Sequence, residues 1–549
     1  MLKKILFIYL IIISLFLYGC EDFYNFEANK LNKKANILIE NADNSDSTKE
    51  KIEFLSDALI KIEKIQKRYK KTKIARDHRK SKKINNLKIR IDNFRILLSK
   101  EKIELEKDIN TSQIKKNMDL ANIEFNNGNK LESSLKLLNA AEFSINQIGD
   151  TRTKSRLSND ISELRMLLND NKNAFKNLLN SEEYINQMYT DLPKKIKNLS
   201  KIYKILHMLE EKEKQKEIEK KIYLIINNDI TNNDNKAVAF LEFAKTNLLI
   251  NNIKKAKKDI VNAEKLAEKS NTYLEISKLY FKSKNLDKTA TFISEAKKAA
   301  KSKNQEFWII RDLINISLFE NLINFKEESY KTLLEAKKNI PSKPDERLVL
   351  ELVEAFAKIN KIEDAEKLIT LIKPKYEKSM AYAFIGRELS KLNNPKEMKT
   401  YLDKAIEIAP DLVVGNYEFT GLPGFSTKGR IFAEVSKTYA SIGNFKKSHE
   451  LLGLIESDRF YKEGISDVII IQAKSDSVGA KELASKMLQL GGNIIDNKFI
   501  GRIAYAQAIS GDIENSLKTT KKMDIGFDFS QTLINIANQI TLQLKDPLT

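Results

Sequence analysis

Cysteine is almost absent: Cys20 is the only one in 549 residues. A single thiol excludes an intrachain disulfide, a cysteine-built zinc site and a CxxC redox pair. Histidine is nearly as scarce. His78, His207 and His449 stand far apart, with no partner at a spacing that metal binding uses, and each is read as a surface or helix-end residue. Seventeen glycines and eight prolines are too few for a fold rich in strands and tight turns. No GxSxG, HExxH or phosphate-loop signature occurs, and Gly421-Leu422-Pro423-Gly424 lacks the Lys-Ser/Thr ending that grips phosphate. The single tryptophan, Trp308, falls at an expected helix start and reads as packing. Paired carboxylates on helices of this kind are solvated or ion-paired faces. The chain is therefore expected to be no enzyme and to need neither metal nor cofactor.

What the chain has in quantity is helix formers and charge. Lys and Arg number 95 against 75 Asp and Glu, a balance of +20. Lys, Glu, Leu, Ile and Asn dominate, and 42% of residues are hydrophobic, so most of the chain is expected to fold, as helix. At 549 residues it exceeds what one core organises, which implies several domains or an extended array. A basic excess suits nucleic acid, anionic lipid or an acidic protein. Lysine-favouring codons also produce it, and the interleaving of Lys with Glu fits that simpler source.

Lys3 and Lys4 precede an apolar run from Ile5 to Tyr18, broken only by Ser14, and Gly19-Cys20 follows. A positive start, a short apolar stretch and a small residue before the cut make an export signal, and the run falls short of the roughly 20 residues of a stable span. Leu17-Tyr18-Gly19-Cys20 resembles a lipobox, the cleavage motif of bacterial lipoproteins, although Tyr18 is bulkier than the usual residue at its position. The resemblance implies that residues 1–19 are a signal peptide, that Cys20 becomes the N-terminus and carries lipid (palmitate among the acyl chains), and that the protein is held at a cell-envelope membrane, with the outer one favoured. Several acyl chains anchor stably where one does not.

Residues 20–111 read as a lipidated start followed by long helices. Ile52, Leu55, Leu59, Ile62 and Ile65 recur at helical spacing, as do Ile84, Leu87, Ile91, Phe94, Leu97 and Leu98. Asn41 to Ser47 is a turn-rich break in which Ser47 suits a helix cap. Between Lys61 and Arg90 lies a dense basic run that includes Lys67, Arg68, Lys70, Lys71, Lys73, Arg76 and Arg79, with Asp77 almost the only counterweight. It suits anionic head groups or another polyanion. A solvated connection between helices accounts for it as well, and no aromatic ladder interleaves the charges as single-strand binding requires.

Helix hairpins follow. Residues 112–230 read as irregular pairs, clearest around Asn127-Gly128-Asn129. From 231 to 527 small residues recur where two helices cross. Phe240, Phe243 and Ala244 are followed by Ala256, Ile260 and Ala263; Ile276, Ser277 and Tyr280 by Thr289, Ile293 and Ala296; Ile316 and Ser317 by Ser329, Leu333 and Ala336. Ile385, Gly386 and Leu389 precede Met398, Leu402 and Ala405, while Val435 and Ser436 precede Ser448 and Leu452. The small-large-small spacing resembles the tetratricopeptide (TPR) repeat, in degenerate form, and steps of 33, 40, 36 and 33 residues also suit a related hairpin solenoid. The resemblance implies an all-α fold: a TPR-like α-solenoid of antiparallel hairpins preceded by long N-terminal helices, with residues 528–549 as a capping helix and tail.

The same resemblance implies that the first helix of each pair faces a concave groove. The family's groove positions map to Lys245, Lys278, Arg387 and Lys437, with Arg311, Arg347 and Arg430 one turn earlier and Leu318 and Glu354 as exceptions. A mainly basic column of this kind is expected to take an acidic protein or peptide segment. An insertion at 411–428 carries Tyr417, Phe419 and Phe425, which serve either as partner contacts or as aromatics tucked onto the array. The expected function is a membrane-anchored scaffold for envelope complex assembly. Its rivals are an envelope-remodelling or glycan-binding factor and, with nothing in its favour, an enzyme whose site is assembled across distant helices; an exported chain seldom meets nucleic acid.

Overall fold

The computed structural model describes residues 24–187, 192–409, 427–455, 458–490 and 496–545. Among them every regular element is a helix, as the sparse glycine and proline predicted. The chain divides into two compact units that meet at Ser112–Gln113.

Unit 1 contains α1 (residues 24–44), α2 (Thr48–Arg68), α3 (Lys73–Lys80) and the first part of α4 (Lys83–Asn126). Ser47 caps α2 by accepting from the Glu50 amide at 3.4 Å, which satisfies an amide the helix itself cannot. Ala28, Ala35 and Ala42 recur every seven residues on α1 and are fully buried. Seven-residue spacing keeps small side chains on one seam, and this one meets Leu55, Ala58, Ile62 and Ile65 of α2 and Leu87 and Ile91 of α4. His78 is buried rather than at the surface: its Nε2 lies 2.9 Å from Asn32 Oδ1 and closes the contact between α3 and α1. Beyond Phe94 α4 leaves this core, and Ile96, Leu97, Ile103 and Leu105 are exposed.

Unit 2 starts with the end of α4 and continues through α5 (Lys130–Ile145), α6 (Thr151–Leu167), α7 (Asn171–Asn186), α8 (Leu192–Met208), α9 (Lys212–Leu224), α10 (Asn233–Leu249) and α11 (Ile253–Glu264). Next come α12 (Ser270–Lys282), α13 (Leu286–Lys301), α14 (Glu306–Leu322), α15 (Lys326–Lys338), α16 (Glu346–Lys358), α17 (Ile362–Ile369), α18 (Lys375–Lys391) and α19 (Pro395–Ile408). The unit ends with α20 (Thr427–Ser441), α21 (Phe445–Leu452), α22 (Asp458–Ala473), α23 (Ser477–Leu490), α24 (Asn497–Ile509), α25 (Ile513–Thr520) and α26 (Phe527–Lys545).

Ten of the hairpins turn by one device. The first helix of a pair ends in a left-handed residue: Gly128, Asn169, Glu210, Asn251, Lys284, Asn324, Asn360, Asn393, Gly443 and Gly511 all have φ between 53° and 83°. The next amide then reaches back five residues, as in Asn252 to the Asn247 carbonyl at 2.7 Å and Phe325 to that of Glu320 at 2.8 Å. This pairing satisfies carbonyls that the helix end leaves open. Asn is the side chain that tolerates the left-handed region best after glycine, which is why an asparagine-rich chain needs few glycines to turn. The positions also correct the sequence reading of residues 112–230 as irregular. From Gly128 through Asn169 and Glu210 to Asn251 the step is 41 residues each time, the most regular stretch of the array.

Within each hairpin, two positions twelve apart meet where the helices cross. Ser277 donates to the Thr289 carbonyl at 2.8 Å, Ser317 to that of Ser329 at 2.8 Å and Ser436 to that of Ser448 at 2.8 Å. In other pairs the second helix donates, as in Ser133 to Ala121 at 2.7 Å and Ser516 to Ala504 at 2.6 Å. Gly386 takes the same place opposite Met398, and a Cβ there would lie 2.4 Å from Leu402 Cδ2. Small residues with a short polar arm let two backbones approach and satisfy a buried hydroxyl at once.

The array closes on itself. Helix α26, expected as a terminal cap, packs along α5, and its Leu533, Ile536, Ala537 and Ile540 share one core with Leu137, Leu138, Ala141 and Ile145. The Ser144 and Ser530 hydroxyls are 2.6 Å apart, Ser134 donates to the Ala537 carbonyl at 3.4 Å, and Lys521 pairs with Asp119. From residue 113 on, the described residues of the expected blocks 112–230, 231–527 and 528–549 thus belong to one unit.

Two predictions follow from this packing. Gly386→Ala should lower stability by about 1–3 kcal/mol through overpacking against Leu402, whereas Lys284→Gly, which relieves a left-handed lysine, should raise it by up to about 1 kcal/mol; denaturant midpoints of the two variants should move in opposite directions. The second concerns Asp259, fully buried on α11, which accepts from Tyr223 at 2.8 Å and Asn247 at 3.2 Å. Burial outweighs these donors and raises its carboxyl to about 6 from the ordinary 3.8. A raised folded value means the stabilisation is complete below the ordinary value and is lost as pH climbs through the folded one. Thermal melts of Asp259→Asn should therefore gain on the parent between pH 4 and 7, and a pH-independent difference would contradict this.

Candidate functional site

The residues expected to line the groove sit on the first helices of successive hairpins. Lys245 is on α10, Lys278 on α12, Arg311 on α14, Arg347 on α16, Arg387 on α18, and Arg430 and Lys437 on α20. What the sequence reading missed is their counter-charges. Lys245 Nζ is 2.8 Å from Glu242 and 2.9 Å from Glu275, and Lys278 holds the other oxygen of Glu275 at 2.7 Å. Arg311 grips Glu351 of α16 in a fork, with contacts of 2.8 and 2.5 Å. Arg387 lies between Glu354 at 2.7 Å and Glu434 at 2.6 Å, with Glu388 at 3.1 Å. Lys437 meets Asp467 at 3.3 Å, and Arg502 meets the same carboxylate.

Five of the seven cations are therefore tied to carboxylates, most of them across to the next first helix. The column is a ladder of alternating charge and not a mainly basic surface. Arg347 and Arg430 are exposed and have no ion-pair partner among the described residues. Part of the signal was legible, because Glu242–Lys245, Glu275–Lys278 and Glu434–Lys437 share one three-residue spacing.

Burial and pairing compete along the ladder. Burial pulls the Lys245 ammonium down, but Glu242 and Glu275 outweigh it and hold the group above the ordinary lysine value. Burial likewise pushes Glu275 up, and Lys278 and Lys245 bring it below the ordinary carboxylate range. Glu354 follows the same pattern under Lys358 and Arg387. Opposite charges at these distances each favour the ionised form of the other.

An open groove runs beside the ladder. Its larger part, about 1070 Å³, is bounded by Asn271 of α12, by Trp308, Arg311 and Asn315 of α14, and by Glu351 of α16. A second part of about 440 Å³ shares Asn271 and Asn315 and continues past Lys278 over Leu318, Phe319 and Leu322. Trp308, expected as packing, is 46% exposed and flanks the opening; Lys303 lies 5.9 Å over its ring and pairs with the buried Asp312 at 2.6 Å. Leu322 at the far end is 78% exposed. An apolar floor with amide side chains on both walls can hold an extended chain, because each amide offers a donor and an acceptor to a peptide backbone.

Cys20, Tyr417, Phe419 and Phe425 lie outside the described residues. His207 is exposed and His449 contacts Gln472 at 3.0 Å. Among the described residues no cluster of His, Cys, Asp or Glu has the arrangement of a metal site, and no helix is long and apolar enough to cross a membrane.

The sequence model of the tetratricopeptide repeat matches residues 381–412, the hairpin built on Gly386 and Met398. No curated protein matches the chain. Among solved structures, a signal-transduction ATPase with a tetratricopeptide repeat sensor from Pyrococcus horikoshii aligns with 63% of this chain and 51% of its own length, at 12% identity and a TM-score of 0.24. Ton1535 from Thermococcus onnurineus aligns with 65% of this chain and 98% of its own, at 12% identity and 0.25. A circular tandem repeat protein aligns with 94% of this chain and all of its own, at 10% identity and 0.16. Such loose superpositions carry nothing over to this chain.

Arg387 is the test of the ladder. Replacing it with Ala takes the Arg387 pair from Glu434, while Glu354 keeps Lys358 and Glu388 keeps Lys391, and should cost about 1–3 kcal/mol, below the range for a fully buried broken pair because the side chain is partly exposed. Arg387→Lys should recover only a fraction, since an ammonium cannot fork between Glu354 and Glu434. Equal denaturation midpoints for the parent and Arg387→Ala would show that the rungs are ornamental.

Proposed function

We propose that this protein is a non-catalytic scaffold at a cell-envelope membrane, anchored by lipid on Cys20, that holds an extended segment of a partner protein in the groove along α12, α14 and α16. The exposed Trp308 beside Asn271 and Asn315 is the observation that carries the reading. A half-exposed indole over an open groove favours an apolar or aromatic guest side chain, and such anchors dominate binding energy at interfaces. The alternating ladder supports a change in the expected guest. A segment of acidic residues alone would have to displace Glu275 or Glu351, whereas an apolar anchor flanked by a carboxylate uses Trp308 and Leu322 and finds Arg347 unpaired. Repeat arrays of this architecture serve as binding surfaces, and neither metal nor cofactor has a role in such a function.

Site-specific photo-cross-linking from position 315, on the full lipidated chain in its native membrane, tests this. The expected result is one dominant protein adduct whose yield falls at least about tenfold in Trp308→Ala and is unchanged by Val478→Glu, an exposed substitution on α23. Adducts that survive Trp308→Ala, or that form only with glycan or lipid, would overturn the reading.

A further inference from the structure

The lipid-anchor reading leaves the basic run of unit 1 unexplained, and the structure supplies the missing geometry. The end of α2, the turn after it and α3 form one tip of unit 1. There Lys67, Arg68, Lys70, Lys71, Lys73, Arg76 and Arg79 are all exposed. The ion pairs described for residues 61–90 are Lys88–Glu63 at 3.5 Å and Arg90–Asp43, both made by cations of α4. None of these seven has an ion-pair partner among the described residues, where Asp77 is the one acid of α3 and Arg79 donates to the Lys70 carbonyl at 2.9 Å, and like charges gathered in this way repel one another.

The start of α1 lies at the same tip. Tyr24 and Tyr69 have ring centroids 6.0 Å apart, and Ala28 shares a small core with Ile65 and Ala75. Tyr24 is 49% and Phe26 64% exposed. Cys20 precedes Tyr24 by four residues, a reach of at most about 14 Å. Two exposed aromatics and seven cations with no ion-pair partner among the described residues therefore share one end of the unit. Aromatic rings settle at the boundary between head groups and acyl chains, and clustered Lys and Arg beside an acyl anchor are drawn to anionic lipid.

We infer that this tip is a second membrane contact, which binds anionic phospholipid head groups through Lys70, Lys71, Lys73, Arg76 and their neighbours and presses unit 1 against the surface. The inference rests on the lipid-anchor reading for its placement at a membrane, but its test does not. The chain from residue 20 onward, carrying Cys20→Ser so that no lipid can attach, is sedimented with vesicles. Binding is expected with phosphatidylglycerol vesicles, lost with phosphatidylcholine alone and lost at high salt, where exposed charges are screened. Lys70→Glu/Lys71→Glu/Lys73→Glu should weaken it by roughly a hundredfold or more, given about fivefold per cation near the surface, with helical content unchanged by circular dichroism. Binding that ignores lipid charge or survives the triple reversal overturns the inference, as does binding to an oligonucleotide without binding to vesicles. Mass spectrometry of Cys20 in the parent chain tests the anchor separately: an unlipidated Cys20 with intact vesicle binding removes the anchor and leaves the tip.

Discussion

The approach of two helices at a single crossing decides the architecture of unit 2. Wherever positions twelve apart are small, as with Ser277 and Thr289 or Ser317 and Ser329, the backbones come close enough for a hydroxyl to reach the opposite carbonyl. Close crossing shortens each hairpin's profile and exposes its large residues to the next hairpin, so the core becomes continuous along the stack. Long-range order then comes from local repetition. The left-handed asparagines fix the turn, the crossing fixes the pair, and the ion-pair rungs between first helices tie one pair to the next.

Much of this was legible in the sequence. The helical class followed from composition, and the recurrence of a small residue on the first helix of each pair marked Ser277, Ser317, Gly386 and Ser436 as crossing positions. Residues 112–230 were misread for a physical reason. Their period is 41 and not near 34, and Tyr203 occupies the crossing position where Ala121, Ser162 and Ala244 hold small side chains, so the pattern that marks later hairpins is broken there. Ring closure was illegible because nothing local in Phe529 or Leu533 states that its neighbours are Leu137 and Ala141. The groove column was half legible: its cations follow from register, but partners such as Glu351 for Arg311 come from another helix 40 residues away, and only packing brings them together.

Neutralising the column changes what the groove can select. Coulomb attraction of an acidic guest is weakened when each cation already has a carboxylate at hydrogen-bond distance, and exchange of one carboxylate for another gains little. In the proposed function, selectivity then rests on the apolar surface around Trp308 and Leu322. A cluster of cations without ion-pair partners among the described residues lies at the tip of unit 1.

A closed, stacked array is the central claim, and one cross-link tests it most directly. With Cys20 changed to Ser, Ser144→Cys/Ser530→Cys places two thiols where hydroxyls now sit 2.6 Å apart on α5 and α26, in a chain with no other cysteine. Mild oxidation should give a quantitative intramolecular disulfide, with native helicity and a higher melting temperature. Free thiols that persist under oxidation, or disulfides that form only between molecules, would mean that the ends of the array do not meet.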